Sequence, residues 1–259
     1  MITANYHTHT KRCGHASGED EDYILAAIKA GYRVLGFSDH APYRSYPLKG
    51  IHMDWDELDG YIASISSLKE KYKDRIEIRL GLESEYSRVA LEERKELKGM
   101  VEYLILGEHF DDPANRSFSV FRKCSEEDIL EYARLVCEAM DTGLYAYVAH
   151  PDVIMSGQEE FSKACEKAAH MIGQKAEETG IPLEINCRGA QRNKKTFPTG
   201  RRFSYPNRDF WSVLSQYRIK GIVGIDAHDP RDLFDKQAII DGLKEIEEFH
   251  IEITEDPFR

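Results

Sequence analysis

The sequence predicts an α/β fold in which seven strand-then-helix units close into one barrel. Three observations carry that expectation. Short apolar runs alternate with segments of helical period along the chain, and such alternation implies a parallel sheet. No G-x-G-x-x-G follows the first run and no Walker loop occurs, so the usual signatures of an open nucleotide-binding sheet are missing. Residues of metal-binding type recur where predicted strands run out, and in a barrel those ends meet on one rim. At 259 residues, 41% hydrophobic and 31% charged, the chain suits one large domain, residues 1–259.

The elements follow in order. Residues 2–6 read as a short strand, and residues 19–30 as a helix with Tyr23, Ile24, Ala27 and Ile28 on one face and Gly31 as its C-cap. A buried strand over 34–38 precedes a helix that Asp54 can cap and that runs to about residue 72. Alternation of Ile76, Ile78, Leu80 and Leu82 gives a third strand, and a charged helix over 90–98 leads to a fourth over 103–107. Ser125 and Asp128 form a capping-box pattern for a helix to about residue 141. The fifth strand is 145–149, followed by a helix over 161–178 closed by Gly180. A sixth strand over 183–185 pairs with a helix from about residue 207, and a seventh over 221–225 with a helix over 232–249.

Metal-type residues cluster by position on this plan. His7 and His9 lie two apart at the end of the first strand, so their side chains point the same way and can converge on one ion. Asp39 and His40, Glu83, His109, His150, and Asp226 with His228 each stand at or just past another strand end, and His15 lies in the first loop. Singly, each has an ordinary reading as a turn or helix-capping residue. Together they point to divalent metal on the rim where such barrels build active sites. The set exceeds the three protein ligands of a typical catalytic zinc, which predicts two or three clustered ions. Cys13 could touch that cluster and His52 could touch a substrate, whereas His170 and His250 read as structural or solvated.

Charge narrows the function. A formal net charge of -11 argues against a nucleic-acid or membrane binder, since such surfaces are usually basic. Yet residues 188–208 carry Arg188, Arg192, Lys194, Lys195, Arg201, Arg202 and Arg208 with no acid. That island follows the sixth strand and overhangs the same rim, where guanidinium forks suit phosphate oxygens. Arg192 and Arg188 are the first candidates for a phosphate clamp, then Lys194 and Lys195. Five scattered cysteines without a C-x-x-C pair, and no apolar run long enough to span a bilayer, predict a soluble cytoplasmic protein. A monomer or small homo-oligomer is expected.

The chain resembles the PHP (polymerase and histidinol phosphatase) family, and within it the monofunctional histidinol-phosphate phosphatases. The resemblance spans nearly the whole chain. It is carried by His7-Thr8-His9-Thr10, Cys13-Gly14-His15-Ala16, Phe37-Ser38-Asp39-His40, Gly81-Leu82-Glu83, Gly107-Glu108-His109, Ala149-His150-Pro151, Glu184-Ile185-Asn186 and Asp226-Ala227-His228. It implies a distorted (β/α)7 TIM-like barrel holding three divalent metals, with zinc, iron and manganese all compatible with mixed N/O ligands. It further implies that His7, His9, Glu83 and Asp226 bind one ion, with Glu83 bridging to a second held by His109 and His150. His15, His40 and His228 would hold the third, and Asp39 would orient an imidazole. The segment 186–192 departs from the family's usual order of small and basic residues, and Tyr205-Pro206 resembles a pair that follows it.

Such a site implies hydrolysis of a small phosphorylated substrate by a metal-bridging hydroxide, and the resemblance implies L-histidinol phosphate of histidine biosynthesis as that substrate first. Asp226 or His228 would be the proton donor to the leaving alcohol. A PHP-type phosphoesterase for a nucleotide or sugar phosphate would share the ligands and differ in the loops 43–53 and 117–122. A non-catalytic metal-binding module is the reading from another class, and the complete ligand set speaks against it. Glu108 or Asp111 is the expected acid for a substrate amine.

Overall fold

Helices begin and end where capping chemistry dictates. The computed structural model describes residues 2–258, so residues 1 and 259 of the expected domain lie outside the described residues. The Ser125–Asp128 capping box forms and starts α4 (Glu126–Asp141). Glycines in the left-handed region close α1 (Asp20–Ala30) and α5 (Lys163–Thr179). Asp54 caps a short 3-10 turn, which leads into α2 (Leu58–Tyr72). The remaining helices are α3 (Leu91–Met100), α6 (Arg208–Leu214) after its Asn207 cap, and α7 (Lys236–Ile246).

The strands are β1 (Ala4–Asn5), β2 (Val34–His40), β3 (Glu77–Ser84), β4 (Tyr103–Leu106), β5 (Tyr145–Val148) and β6 (Leu183–Asn186). The hairpin pair β7 (Lys195–Phe197) and β8 (Gly200–Arg202) follows, then β9 (Lys220–Gly224) and β10 (Glu252–Thr254). One sheet has the order β1-β2-β3-β4-β5-β6-β9-β10, with every pairing parallel. The helices cover its outer face with one large apolar layer. Ala4, Tyr6, Tyr103, Ile105, Tyr147 and Ile222 fill the interior, so the barrel is packed rather than a pore.

Closure differs at the two ends. At the C-terminal rim the chain beyond β1 meets the chain beyond β9: His9 N donates to Ala227 O at 2.9 Å and Ala227 N to His7 O at 3.1 Å. At the floor β10 lies against the first residues of β9, and Glu255 accepts from Thr3 N and Thr3 Oγ1 at 3.2 and 2.9 Å. The seven expected units are present, and β10 is an eighth strand that the sequence pattern did not announce. It is short and largely exposed. The basic island is not a plain loop either, because its middle folds into the β7–β8 hairpin.

Candidate metal centre

Strand ends bring the expected residues together. His40 and Glu83 are themselves the last or near-last residues of β2 and β3, in register as neighbours. His7 and His9 follow β1, His109 and His150 follow β4 and β5, and Asp226 and His228 follow β9. Two glycines make room for carboxylates at this level. A Cβ on Gly107 would sit 2.0 Å from Glu83 Oε1, and one on Gly224 would sit 1.8 Å from Glu184 Oε1. His150 (φ +30°) and Asp226 (φ +54°) hold left-handed backbone, a strain that non-glycine residues keep mainly where function requires it.

Glu83 is the hub. Its Oε1 lies 2.9 Å from His150 Nε2, 3.4 Å from His7 Nε2 and 3.9 Å from His109 Nε2. Its Oε2 lies 3.1 Å from His40 Nδ1 and 3.4 Å from His9 Nε2. Asp226 Oδ1 lies 3.2 Å from His9 Nε2, 3.6 Å from His7 Nε2 and 3.2 Å from His228 Nδ1. The exposed His15 completes a triad with His40 and His228. Cys13 groups with His9 and His228 within ligating range.

This donor set fits divalent cations. His7 Nε2 and His9 Nε2 face one another at 3.1 Å, two basic nitrogens that need a positive charge between or on them. His9 Nδ1, His40 Nδ1, His150 Nδ1, Glu83 Oε2 and Asp226 Oδ1 are buried without a hydrogen-bond partner, a costly state for a protein interior unless an ion answers them. The triads His7–His9–Asp226, His7–Glu83–His150 and His15–His40–His228 each bring their donor atoms within 4.8 Å. Imidazole nitrogen with carboxylate oxygen suits zinc, iron or manganese.

Electrostatics agree. Burial pushes Glu83 and Asp226 toward neutrality, but the facing imidazoles hold both well below the usual carboxylate range. Burial likewise opposes a charge on His7, yet Glu184, Asp226 and Glu83 raise it to about 10. For His40 and His228 burial prevails, taking the first well below the ordinary imidazole value and the second to about 4. The pocket is a trap for positive charge.

Three groups that orient ligands went unassigned in the sequence. Glu184 Oε1 takes the Nδ1 hydrogen of His7 at 2.9 Å and so turns His7 Nε2 toward Glu83. Its Oε2 accepts from His150 N at 3.0 Å and Asn186 Nδ2 at 2.8 Å. Asn186 Nδ2 also reaches Asp226 Oδ2 at 3.2 Å. Glu85 does for His109 what Glu184 does for His7, at 2.9 Å from Nδ1. Their signal was the period-two spacing from Glu83 to Glu85 and from Glu184 to Asn186, which puts each pair on one strand face. Asp39 Oδ1 lies 3.4 Å from His9 Nδ1, beside the imidazole but without a hydrogen bond to it.

The rim opens into a cavity of about 580 Å³ that includes Arg188 and Arg192 in its wall. Arg188 donates to Asp226 O at 3.2 Å. Lys194 departs from expectation: it ion-pairs with Glu245 and lies over the Phe203 ring, so the structure does not bring it to this cavity. Lys195 donates to Ser156 O and lines a smaller adjoining cleft of about 230 Å³, which Arg192 and Tyr205 share with the main cavity. The amine acids also fail. Glu108 is buried and accepts from Tyr86 N at 2.9 Å, Asp111 accepts from Ser117, and neither lines the cavity. His52 is buried, facing Ala41 O at 2.7 Å and Glu85 at 3.3 Å.

Residues 5–188 match the family model described as PHP domain. The chain belongs to the PHP family. This PHP chain is 28% identical over 255 residues to a "Probable histidinol-phosphatase" of Deinococcus radiodurans, covering 93% of this chain and 91% of that protein. It is 37% identical over 86 residues to a histidinol-phosphatase of Bacillus subtilis, a stretch covering 31% of this chain and 32% of that one. The crystal structure of histidinol phosphate phosphatase from Lactococcus lactis, complexed with zinc, L-histidinol and phosphate, superposes with a TM-score of 0.72 at 17% identity. It covers 97% of this chain and 95% of that one. At that identity the likeness establishes a shared fold, the α/β PHP barrel.

Proposed function

We propose that this chain is a metal-dependent phosphomonoesterase that hydrolyses L-histidinol phosphate to L-histidinol and phosphate. One observation carries the reading: eight of the nine ligand-type side chains, from six strand ends, line one cavity with Arg188 and Arg192, and the ninth, His7, lies 3.4 Å from Glu83 and 3.1 Å from His9. The relatives named for this activity, and the Lactococcus enzyme with histidinol and phosphate bound, support the choice of substrate.

Three ions would be held by His7, His9, Glu83 and Asp226; by Glu83, His109 and His150; and by His15, His40 and His228. When bound they supply Lewis acidity, neutralising phosphoryl oxygens and making water a strong nucleophile near neutral pH. The protein's own groups do the rest. Arg188 and Arg192 hold the remaining phosphoryl oxygens by charge-assisted hydrogen bonds, with Lys195 behind Arg192 in the adjoining cleft. His228 is a neutral imidazole at pH 7 and Asp226 a carboxylate, so neither begins the cycle as an acid. Asp226, with Oδ1 free of hydrogen bonds, takes the proton of the attacking water and returns it to the leaving alcohol, while His228 Nδ1, 3.0 Å from Asp226 O, steadies its backbone.

The test is phosphate release from L-histidinol phosphate by the metal-analysed protein, beside nucleotide and sugar phosphates and with a chelator control. Preference for histidinol phosphate, abolished by chelation, is expected. Comparable turnover of all esters would reassign the substrate, and no release with metals bound would end the catalytic reading.

A further inference from the structure

One wall of the cavity, reached through Phe121 stacked on His109 at 5.9 Å, has a chemistry that the metal centre does not require. Beyond the ligands it is built from Asn115, Arg116, Ser119, Phe121 and Arg122, all from the segment after β4. Arg116 and Arg122 are exposed. Together with Arg188 and Arg192 they put four guanidinium groups around one cavity in a chain of net charge -11.

Most arginines elsewhere face acids, as Arg12 does Asp20, Arg88 Glu131 and Glu138, and Arg208 Glu248, and the scattered Arg75, Arg201 and Arg218 do not share a cavity. Arg116, Arg122 and Arg192 are gathered at one. Among the described residues none of the three has an ion pair or a side-chain hydrogen bond. Among the described residues the only carboxylates in the cavity wall are Glu83 and Asp226, both committed to the cation cluster. An acidic protein that leaves three arginines unpaired at one cavity has kept them for an anion from outside.

Arg188 and Arg192 lie on the β6 side and suffice for one phosphoryl group. Arg116 and Arg122 come from the separate loop after β4, in excess of what that phosphoryl group requires, and so remain for the alcohol half of an ester. We infer that this site hydrolyses a second class of substrate, phosphate monoesters whose alcohol carries a second anionic group held by Arg116 and Arg122. The reaction is the same hydrolysis: water oxygen bonds to phosphorus, the bond from phosphorus to the alcohol oxygen breaks, and that oxygen leaves with a proton. The inference rests on the phosphomonoesterase reading above and adds a charge on the alcohol. An anionic alcohol finds two guanidiniums on this wall that no protein acid engages.

A three-carbon series tests it with the metal-loaded full chain: 3-hydroxypropyl phosphate (neutral), 3-aminopropyl phosphate (cationic), 3-phosphooxypropanoate (carboxylate) and propane-1,3-diyl bisphosphate, with L-histidinol phosphate alongside. At least one anionic ester should exceed the neutral one in kcat/KM by roughly tenfold or more, and the better of the two identifies the second anion. The ratio should shrink with added salt, since both arginines are exposed. It should collapse in the Arg116→Gln/Arg122→Gln protein and return largely with Lys at both positions. A flat or reversed series, with histidinol phosphate or the neutral ester still hydrolysed, overturns the inference. So does an anionic preference that survives the double Gln substitution. No release from any ester, histidinol phosphate included, would instead bring down the phosphomonoesterase reading, and this inference with it.

Discussion

The two ends of the barrel use the same residue types for opposite purposes. At the floor, Tyr6 and Tyr103 meet edge to face at 6.1 Å, and Phe258 completes an aromatic trio with centroids 5.5 and 5.7 Å away. The polar tip of Tyr103 is satisfied, donating within reach of Tyr6 O at 2.7 Å and Phe37 O at 3.0 Å. At the rim, rings are packed just as closely, with His9 and His228 stacked at 4.0 Å and His9 and His40 at 4.4 Å. There, however, polar atoms stay buried and unanswered, and two ligands keep left-handed backbone. The floor is where packing and hydrogen bonding agree. The rim stores an electrostatic demand that only a cation meets, which is how a stable scaffold carries a reactive site.

Substitutions should separate these roles. The largest effect belongs to Glu83→Gln, which removes the hub carboxylate. Loss of several kcal/mol of Lewis-acid stabilisation lowers kcat/KM on the order of 10³-fold, with metal content falling in parallel by elemental analysis. Retained activity would mean that Glu83 is not central. Next is Glu184→Gln, which leaves the ligands in place but weakens the hold on His7 Nδ1. Metal affinity should fall about 10- to 100-fold, seen as a raised metal concentration for half-maximal activity.

Floor changes should act on stability alone. Tyr103→Phe removes the one hydroxyl hydrogen shared between Tyr6 O and Phe37 O and should cost about 1–3 kcal/mol in denaturant unfolding of the metal-free protein, with kcat/KM intact. Phe258→Ala should be milder, because the ring is 43% exposed and gives up about 1 kcal/mol of aromatic packing. An activity loss in either without a stability loss would break the division between the ends.

The same contrast explains what could be read from sequence. Core-facing periodicity and caps such as Ser125 and Gly180 are local signals, and they placed the helices to within a few residues. At the rim β1, β4, β5 and β9 were read a residue long, whereas other strand ends there were read short, since β2 continues through Asp39 and His40 and β3 through Ser84. Their polar side chains end the apolar pattern while the backbone ladder goes on. β10 and the β7–β8 hairpin escaped because exposed three-residue strands bury too little to impose alternation. The metal-type residues were legible because strand ends converge in a barrel. Whether a carboxylate ligates, as expected of Glu83, or steadies an imidazole, as Glu85 does, depends on ångström-scale geometry that spacing does not encode. Lys194 was misread for a related reason, since its partner Glu245 lies on α7, far along the chain.

The most direct test of the rim's role is metal stoichiometry with thermal unfolding, before and after chelation and after reloading with zinc, iron or manganese. The account predicts two to three ions per chain, a lower Tm on stripping, and recovery of both Tm and phosphatase activity on reloading. A chain that purifies without bound metal, takes up none, and unfolds at the same temperature with or without chelator would contradict it.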